Sequence, residues 1–256
     1  MKKEFNIELW LKESYFAIAD LRGKEYMDNR IILDGLSWGK EPSKTAKEAL
    51  KIFRTKGINI VLDVGCGYAR DAYYFTQNGI NVTGIEYSEI AVKTANEEFQ
   101  KKLENNYKKA WGKLNVLHHD FRTWMPDKKY HAVFSFKTLH QFRNNPDQSP
   151  KHFLKDPLAI SRIISKVKEC LLPDGYFIFS TFNTKDLHCG DGEFIEGNTW
   201  DTKGFRPCTF YTKVEIMKLL NDFEIIKIIE NFEELDEHKP EGKHTHKMLF
   251  VVAKLI

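Results

Sequence analysis

VLDVGCGYARDAYYF, residues 61–75, is the stretch on which the fold turns. An apolar, β-branched run ends in Asp63, and Gly65 and Gly67 then carry the chain into a segment with helical spacing. Two glycines this close allow a tight bend, and the absent side chains let a ligand approach the backbone. In open α/β sheets, ligands sit beyond the carboxyl ends of the strands, where such a turn lies. A tight turn needs glycine with or without a ligand, so the flanking sequence has to decide.

Upstream, Ser43 is placed to cap a helix in which Ala46, Ala49, Leu50 and Phe53 form one apolar face, and Gly57 ends it. Downstream, strands and helices alternate. Runs with strand character fall at 58–64, 80–86, 114–120, 131–136, 176–182, 223–230 and 248–255. Helical patterns run from Ser88, over 160–172 and over 212–220, with Pro173-Asp174-Gly175 turning the chain into the fifth strand. Strands joined by helices predict βαβ units: a doubly wound α/β fold with a seven-stranded, mostly parallel sheet. Only the polar stretch 231–247 separates the last two strands, which predicts an antiparallel edge strand. Residues 43–256 therefore form the main domain, and residues 1–42, with a helix over 7–21, an N-terminal helical or lid segment. The stretch 183–209 is too long for an ordinary connection and reads as a lid or substrate loop.

A chain of 256 residues, 42% hydrophobic and 29% charged, has the material for one large core. No apolar run approaches a membrane span, and Glu8, Lys12 and Glu13 break up any signal-peptide core, so the expectation is a cytoplasmic protein. Cys66, Cys170, Cys189 and Cys208 do not imply a disulfide framework. A net charge of +3 is too small to imply nucleic acid, and Lys101, Lys102, Lys108 and Lys109 read as a solvated surface.

The second strand ends at Glu86, where a carboxylate can accept hydrogen bonds from both hydroxyls of a ribose. That fits a nicotinamide nucleotide and an adenosyl ligand equally. The glycine turn discriminates between them. A dinucleotide turn wants a third small residue for close helix–strand packing, and here that place holds Arg70. An arginine there answers a carboxylate instead.

VLDVGCGYARDAYYF with VTGIEYSEIAVKTA resembles motifs I and II of the class I S-adenosylmethionine-dependent methyltransferases, a Rossmann-like family. HHDF, HAVFSFKTLHQF and LLPDGYFIFSTF resemble that family's later motifs, in order, over roughly residues 41–255. The continuation RDAYYF and the FYTKVEIMKLL element are similar to the small-molecule branch near the tellurite-resistance methyltransferases. The resemblance implies S-adenosyl-L-methionine as cofactor, with Asp63, Gly65, Cys66 and Gly67 along its methionine part and Arg70 on its carboxylate. It places Glu86 on the ribose, Tyr87 against the adenine, Asp120 and Phe121 beside the adenine amino group, and Phe136 and Lys137 under the transferred methyl. Ala69 departs from the pattern, which commonly has glycine there.

Methyl transfer from a sulfonium is an in-line displacement, and a base is required only where the acceptor keeps its proton. His140, after the fourth strand, is the candidate for that role. Candidates to face a small-molecule acceptor are Phe182, Asn183, Trp200, Phe205 and Arg206, with Trp38 closing over the pocket. Three alternatives stand beside this reading: a nucleic-acid methyltransferase, a non-catalytic cofactor-binding protein, and a nicotinamide-dependent oxidoreductase. The fourth strand ends in Ser-Phe-Lys-Thr rather than the Asn/Asp-Pro-Pro-Tyr/Phe used on base amino groups, which disfavours the first. No histidine pair among His118-His119, His188-Cys189 and His244/His246 has the spacing of a familiar zinc site, so no metal is expected. The sequence leaves the acceptor and the oligomeric state open.

Overall fold

The computed structural model describes residues 24–25, 27–33, 35–36, 38–105, 108, 111–142, 160–202, 206–238 and 242–256. The helix expected over 7–21 and Phe205 lie outside them. In chain order the elements are α1 (Lys44–Lys56), β1 (Ile60–Val64), α2 (Arg70–Gln77), β2 (Asn81–Glu86), α3 (Glu89–Ala95), α4 (Lys101–Asn105), β3 (Leu114–His118) and β4 (Tyr130–Phe136). There follow α5 (Ile160–Cys170), β5 (Leu171–Phe182), β6 (Glu193–Glu196), β7 (Thr199–Thr202), β8 (Arg206–Thr209), α6 (Lys213–Leu219), β9 (Phe223–His238) and β10 (Gly242–Leu255).

Seven strands form one sheet in the order β3-β2-β1-β4-β5-β10-β9. The pairs from β3 to β5 are parallel, while β10 runs antiparallel to both β5 and β9. The expected seven-stranded, mostly parallel α/β sheet is therefore present, with β10 the reversed strand and β9 the edge. Successive residues feed opposite faces, as the pleat requires. Val61, Ala132, Phe134, Ile178 and Phe250 pack with Leu50, Phe53 and Phe75 from α1 and α2. Leu62, Val133, Phe177, Phe179 and Val251 pack with Ile160, Ile163 and Val167 from α5. Both faces are covered, which is why these strands read as nearly continuous apolar runs.

Helix α1 is capped as its sequence predicts. Ser43 Oγ accepts from the Ala46 N–H at 2.9 Å, and Gly57, at φ 66°, ends the helix in the left-handed region. Two distant carboxylates complete the N-terminus. Asp71 accepts from the Ser43 N–H at 2.8 Å, and Glu234 from the Lys44 and Thr45 N–H groups at 2.8 and 3.1 Å. These bonds tie α1 to α2 and to the far edge of the sheet.

Three stretches differ from the sequence reading. Residues 231–247 are mostly strand: β9 and β10 form a long hairpin paired as far as His238 and Gly242. Their inward residues include Glu234, Asp236 and His246, buried but polar, so no apolar alternation marked them. The stretch 183–209 carries a small antiparallel sheet, β6-β7-β8, whose first turn is Gly197-Asn198, a dipeptide that signals a hairpin. The fifth strand begins at Leu171 rather than after Gly175, with the Pro-Asp-Gly turn absorbed as an irregularity in its pairing with β4.

Candidate functional site

The carboxyl ends of β1, β2 and β4 meet at one edge of the sheet. Beyond β1, Gly65 and Gly67 take φ values of 71° and 54°. A Cβ on Gly65 would lie 2.2 Å from Thr138 Oγ1, so the turn packs directly against the loop after β4. A Cβ on Gly67 would meet nothing within 4 Å, and that side of the turn is open to a ligand. Glu86, at the end of β2, accepts from the Gly67 N–H through Oε2 and from the Ser88 N–H through Oε1, each at 2.9 Å. Ala69 sits at φ 65°, a conformation that glycine takes without strain and alanine does not.

The electrostatics of this corner are unusual for a group of buried side chains. Asp63 is 2% exposed, and its carboxyl is pushed well above the ordinary range by burial, then by the charges of Asp71 and Glu86, against a smaller pull from Arg70. Burial likewise raises Glu86, opposed by the N–H groups of Ser88, Gly67 and Tyr87. The Cys66 thiol is raised well above its usual value by burial, Asp63 and Glu86, so it is a poor nucleophile. For Arg70, burial works against the charge, but Asp71, Tyr68 and Glu234 outweigh it. Its guanidinium donates to Trp38 O at 2.6 Å and to Asp71 Oδ1 at 3.3 Å, and lies 5.5 Å from the centre of the Phe136 ring. The site thus sets two buried carboxyl groups, both shifted toward the protonated form, beside the Arg70 cation, and a positive charge placed among them would favour their ionised forms.

A family model described as a methyltransferase domain matches residues 37–226. This chain belongs to the class I S-adenosylmethionine-dependent methyltransferases. A sequence search of curated proteins finds no match. Among solved structures, the methyltransferase is similar to TehB from Haemophilus influenzae, at 17% identity and a TM-score of 0.57, over 82% of this chain. It spans 62% of that protein's length. It is also similar to the N-methyltransferase NodS from Bradyrhizobium japonicum, solved with S-adenosyl-L-homocysteine, at 11% identity and TM-score 0.61, over 91% of this chain and 98% of that one. A third is the Burkholderia thailandensis 1,6-didemethyltoxoflavin-N1-methyltransferase, at 15% identity and TM-score 0.58, over 100% and 93% of the two chains. At these identities the likeness is one of fold.

The remaining candidate residues of the methyltransferase are less uniform. Tyr87 follows Glu86, and its carbonyl lies 3.0 Å from His118 Nε2. Asp120 is engaged by Arg122 through Nε at 2.9 and 2.8 Å and Nη2 at 2.6 Å. Phe121 is 6% exposed and belongs to the core beside Trp124. His140 is 1% exposed in a short 3-10 turn, its ring 4.6 Å from that of Phe182. Asn183 is buried, and its Oδ1 accepts from the Lys185 N–H at 3.0 Å. Trp38 stacks on Tyr68 at 6.1 Å, so this part of the N-terminal segment docks against the turn that leads into α2. Trp200 lies against Phe194 within the small sheet. Arg206 opens β8, and its side chain is outside the described set.

The sequence reading missed a polar cluster beside this edge. Lys137, at the end of β4, pairs with Asp236 of β9 at 2.5 Å. Asp236 lies 3.6 Å from His246, which Asp186 holds from the other side at 3.2 Å. Burial alone would raise Asp186, but His246 and the N–H groups of His188 and Lys247 hold it below its ordinary value. His-Thr-His at 244–246 was visible as a pair; its convergence with His188 was not, because long-range hairpin pairing creates it.

Proposed function

We propose that the methyltransferase moves the methyl group of S-adenosylmethionine to a small-molecule acceptor held over the ends of β4 and β5. The observation that carries the proposal is the bond from the Gly67 N–H to Glu86, which fixes an open backbone turn beside a buried carboxylate. Asp63 and the turn at Gly65, Cys66 and Gly67 face the methionine part, and Arg70 meets its carboxylate. Glu86 takes the ribose hydroxyls. Tyr87, Asp120 and Phe121 line the adenine, and for Asp120 this requires sharing its oxygens with Arg122. Phe136 lies under the sulfonium.

The acceptor's heteroatom attacks the methyl carbon as the carbon–sulfur bond breaks, and S-adenosylhomocysteine leaves. Alignment and exclusion of water account for most of the work. His140 takes a proton where the acceptor carries one, and Trp38, Asn183 and Arg206 bound the acceptor's space. Residues 1–42 act as a lid on the domain formed by 43–256. A small acceptor is favoured over nucleic acid by the Ser-Phe-Lys-Thr end of β4 and the weak net charge. It also accords with the toxoflavin-precursor methyltransferase among the similar structures. Among the described residues no helix is long and apolar enough to cross a membrane.

The test is release of S-adenosylhomocysteine across thiols, metalloid oxyanions, amines, phenols and RNA, with calorimetry of cofactor binding. Turnover with a small acceptor and binding of S-adenosylmethionine over NAD are expected. Turnover with RNA alone, or a preference for NAD, overturns the proposal.

A further inference from the structure

We propose that His188, His244 and His246 form a binding site for a divalent transition-metal ion of the zinc or cobalt class. His244 and His246 alternate on β10, so both imidazoles leave the same face of the strand. His188 reaches them from the segment after β5, and one ring nitrogen from each residue lies within 4.8 Å of the other two. A tetrahedral zinc ion with bonds of about 2.0–2.1 Å sets its nitrogen ligands roughly 3.3–3.4 Å apart. His244 Nε2 and His246 Nε2 already stand at 3.1 Å.

The outer nitrogens decide between a metal site and a casual cluster. His246 Nδ1 faces Asp186 Oδ2 at 3.2 Å, and His244 Nδ1 faces the Gly242 carbonyl at 3.0 Å. Each acceptor favours the tautomer with its proton on Nδ1, which turns Nε2 toward the neighbouring histidine, the arrangement by which carboxylates and carbonyls orient metal-bound histidines. Across 3.1 Å the two Nε2 atoms either share one proton in an N–H···N bond or turn together toward a common cation, and a metal ion takes the place of that proton. The surroundings hold this geometry in place. Asp186 also accepts from the Lys247 N–H at 2.7 Å and the His188 N–H at 3.0 Å, so one carboxylate positions both ligand-bearing segments. The Asp191 carboxylate lies 3.7 Å from His188 Nδ1, and the Asp236 carboxylate 3.6 Å from His246 Nε2, adding negative charge around the site. Three imidazoles leave a fourth position for Asp236, water or another ligand. Phe182 separates this cluster from His140, with ring centroids 4.7 Å from His246 and 4.6 Å from His140, so the site borders the end of β5.

The experiment uses the full-length, untagged protein, stripped with a chelator and titrated with Co²⁺ and Zn²⁺. One equivalent of Co²⁺ should bind with d–d bands of tetrahedral intensity and a Kd on the order of 1 μM or below. Zn²⁺ should displace it and raise the unfolding temperature. His244→Gln, on a partly exposed ring, should weaken binding at least tenfold with unchanged circular dichroism, and Asp186→Asn by roughly 10–100-fold. His188→Ala, in the segment after β5, should weaken binding by about tenfold or more as well, and it keeps the test decisive if His244→Gln fails to fold. Wild-type protein that binds neither metal stoichiometrically, or His188 and His244 variants that bind as tightly as wild type, would overturn the proposal. None of these readouts depends on methyl transfer.

Discussion

Gly67 and Glu86 are joined: the glycine N–H donates to Glu86 Oε2 at 2.9 Å, while Oε1 takes the Ser88 N–H at the same distance. One buried carboxylate therefore holds the glycine turn and the start of α3 in register. The sequence places Glu86 at a strand end facing a ligand, and the geometry adds a structural role to that position. Glu86→Ala should weaken S-adenosylmethionine binding by about tenfold or more, since bonds to an ionised acceptor contribute roughly 1.5–3 kcal/mol each. It should also lower the unfolding temperature, because two N–H groups lose their partner. Glu86→Gln keeps one oxygen acceptor and should recover stability more than affinity. Calorimetry on both variants checks this; unchanged affinity in both would remove Glu86 from the cofactor site.

The two glycines of the turn should fail differently. Gly65→Val drives a branched side chain into Thr138, where even a Cβ would lie 2.2 Å from Oγ1, so stability and binding should fall together. Gly67→Val projects into open space at φ 54°. There the backbone strain is about 1–2 kcal/mol, and the main effect should be loss of cofactor binding from a folded protein. Comparing unfolding temperature with affinity separates them. Near-normal binding by Gly67→Val would mean the ligand does not cross that face.

Asp63 links function to pH. Its folded-state value is raised by burial, Asp71 and Glu86, so between the unfolded value of about 3.9 and the raised value the folded state binds more protons. Stability contributed by this group therefore falls as pH rises through that window. Asp63→Asn should remove the fall and make the ligand-free protein more stable at neutral pH. The same change should weaken cofactor binding about tenfold or more, since a cationic ligand loses its ionised partner. Unfolding temperatures from pH 4 to 8 should show the gap between variant and wild type widening with pH. A gap that stays constant would show that Asp63 does not titrate as described.

Glu234 supports the fold from a position that hydrophobic patterning cannot identify. It accepts from the N–H groups of Lys44 and Thr45 and from Thr45 Oγ1. Glu234→Ala leaves the buried Thr45 N–H without this partner, about 1–3 kcal/mol before water or relaxation compensates, while the Lys44 N–H, on an exposed residue, can turn to water. An unfolding temperature lower by several degrees is expected, with cofactor affinity nearly unchanged. An unaltered melting curve would show that the start of α1 finds other partners.

That residue also marks where the sequence ceased to be legible. The strands of the parallel sheet were readable because both faces bury apolar side chains, and the Ser43 and Gly57 signals gave α1 both its ends. The turn at 65–67 and the acid at 86 were readable as local features, two close glycines after a strand and a carboxylate at a strand end, and the Gly67–Glu86 bond joins them. The distal half of the β9–β10 hairpin was not, because Glu234, Asp236 and His246 occupy inward positions and are satisfied only by residues far away in sequence. The role of Asp71 was hidden for the same reason: its partner, Ser43, lies on another helix.

His140 has the sharpest test. It lies after β4 in the turn that Tyr211 anchors by donating to the Leu139 and Phe142 carbonyls at 3.2 and 2.7 Å. With its ring against Phe182 and 1% exposure, it can reach an acceptor only if the acceptor enters beside Phe182. A base must come within hydrogen-bond reach of the proton it removes, and general-base catalysis contributes about 10²–10⁴-fold. If His140 is that base, His140→Ala should reduce turnover at least 10²-fold while cofactor affinity holds. The acidic limb of the wild-type pH–rate profile should then vanish. A buried packing residue gives a different pattern: lower unfolding temperature, a modest loss of turnover, and an intact acidic limb. The decisive measurement is the pH–rate profile of His140→Ala beside its melting curve. Wild-type turnover with the acidic limb retained would leave His140 as part of the wall that holds Phe182.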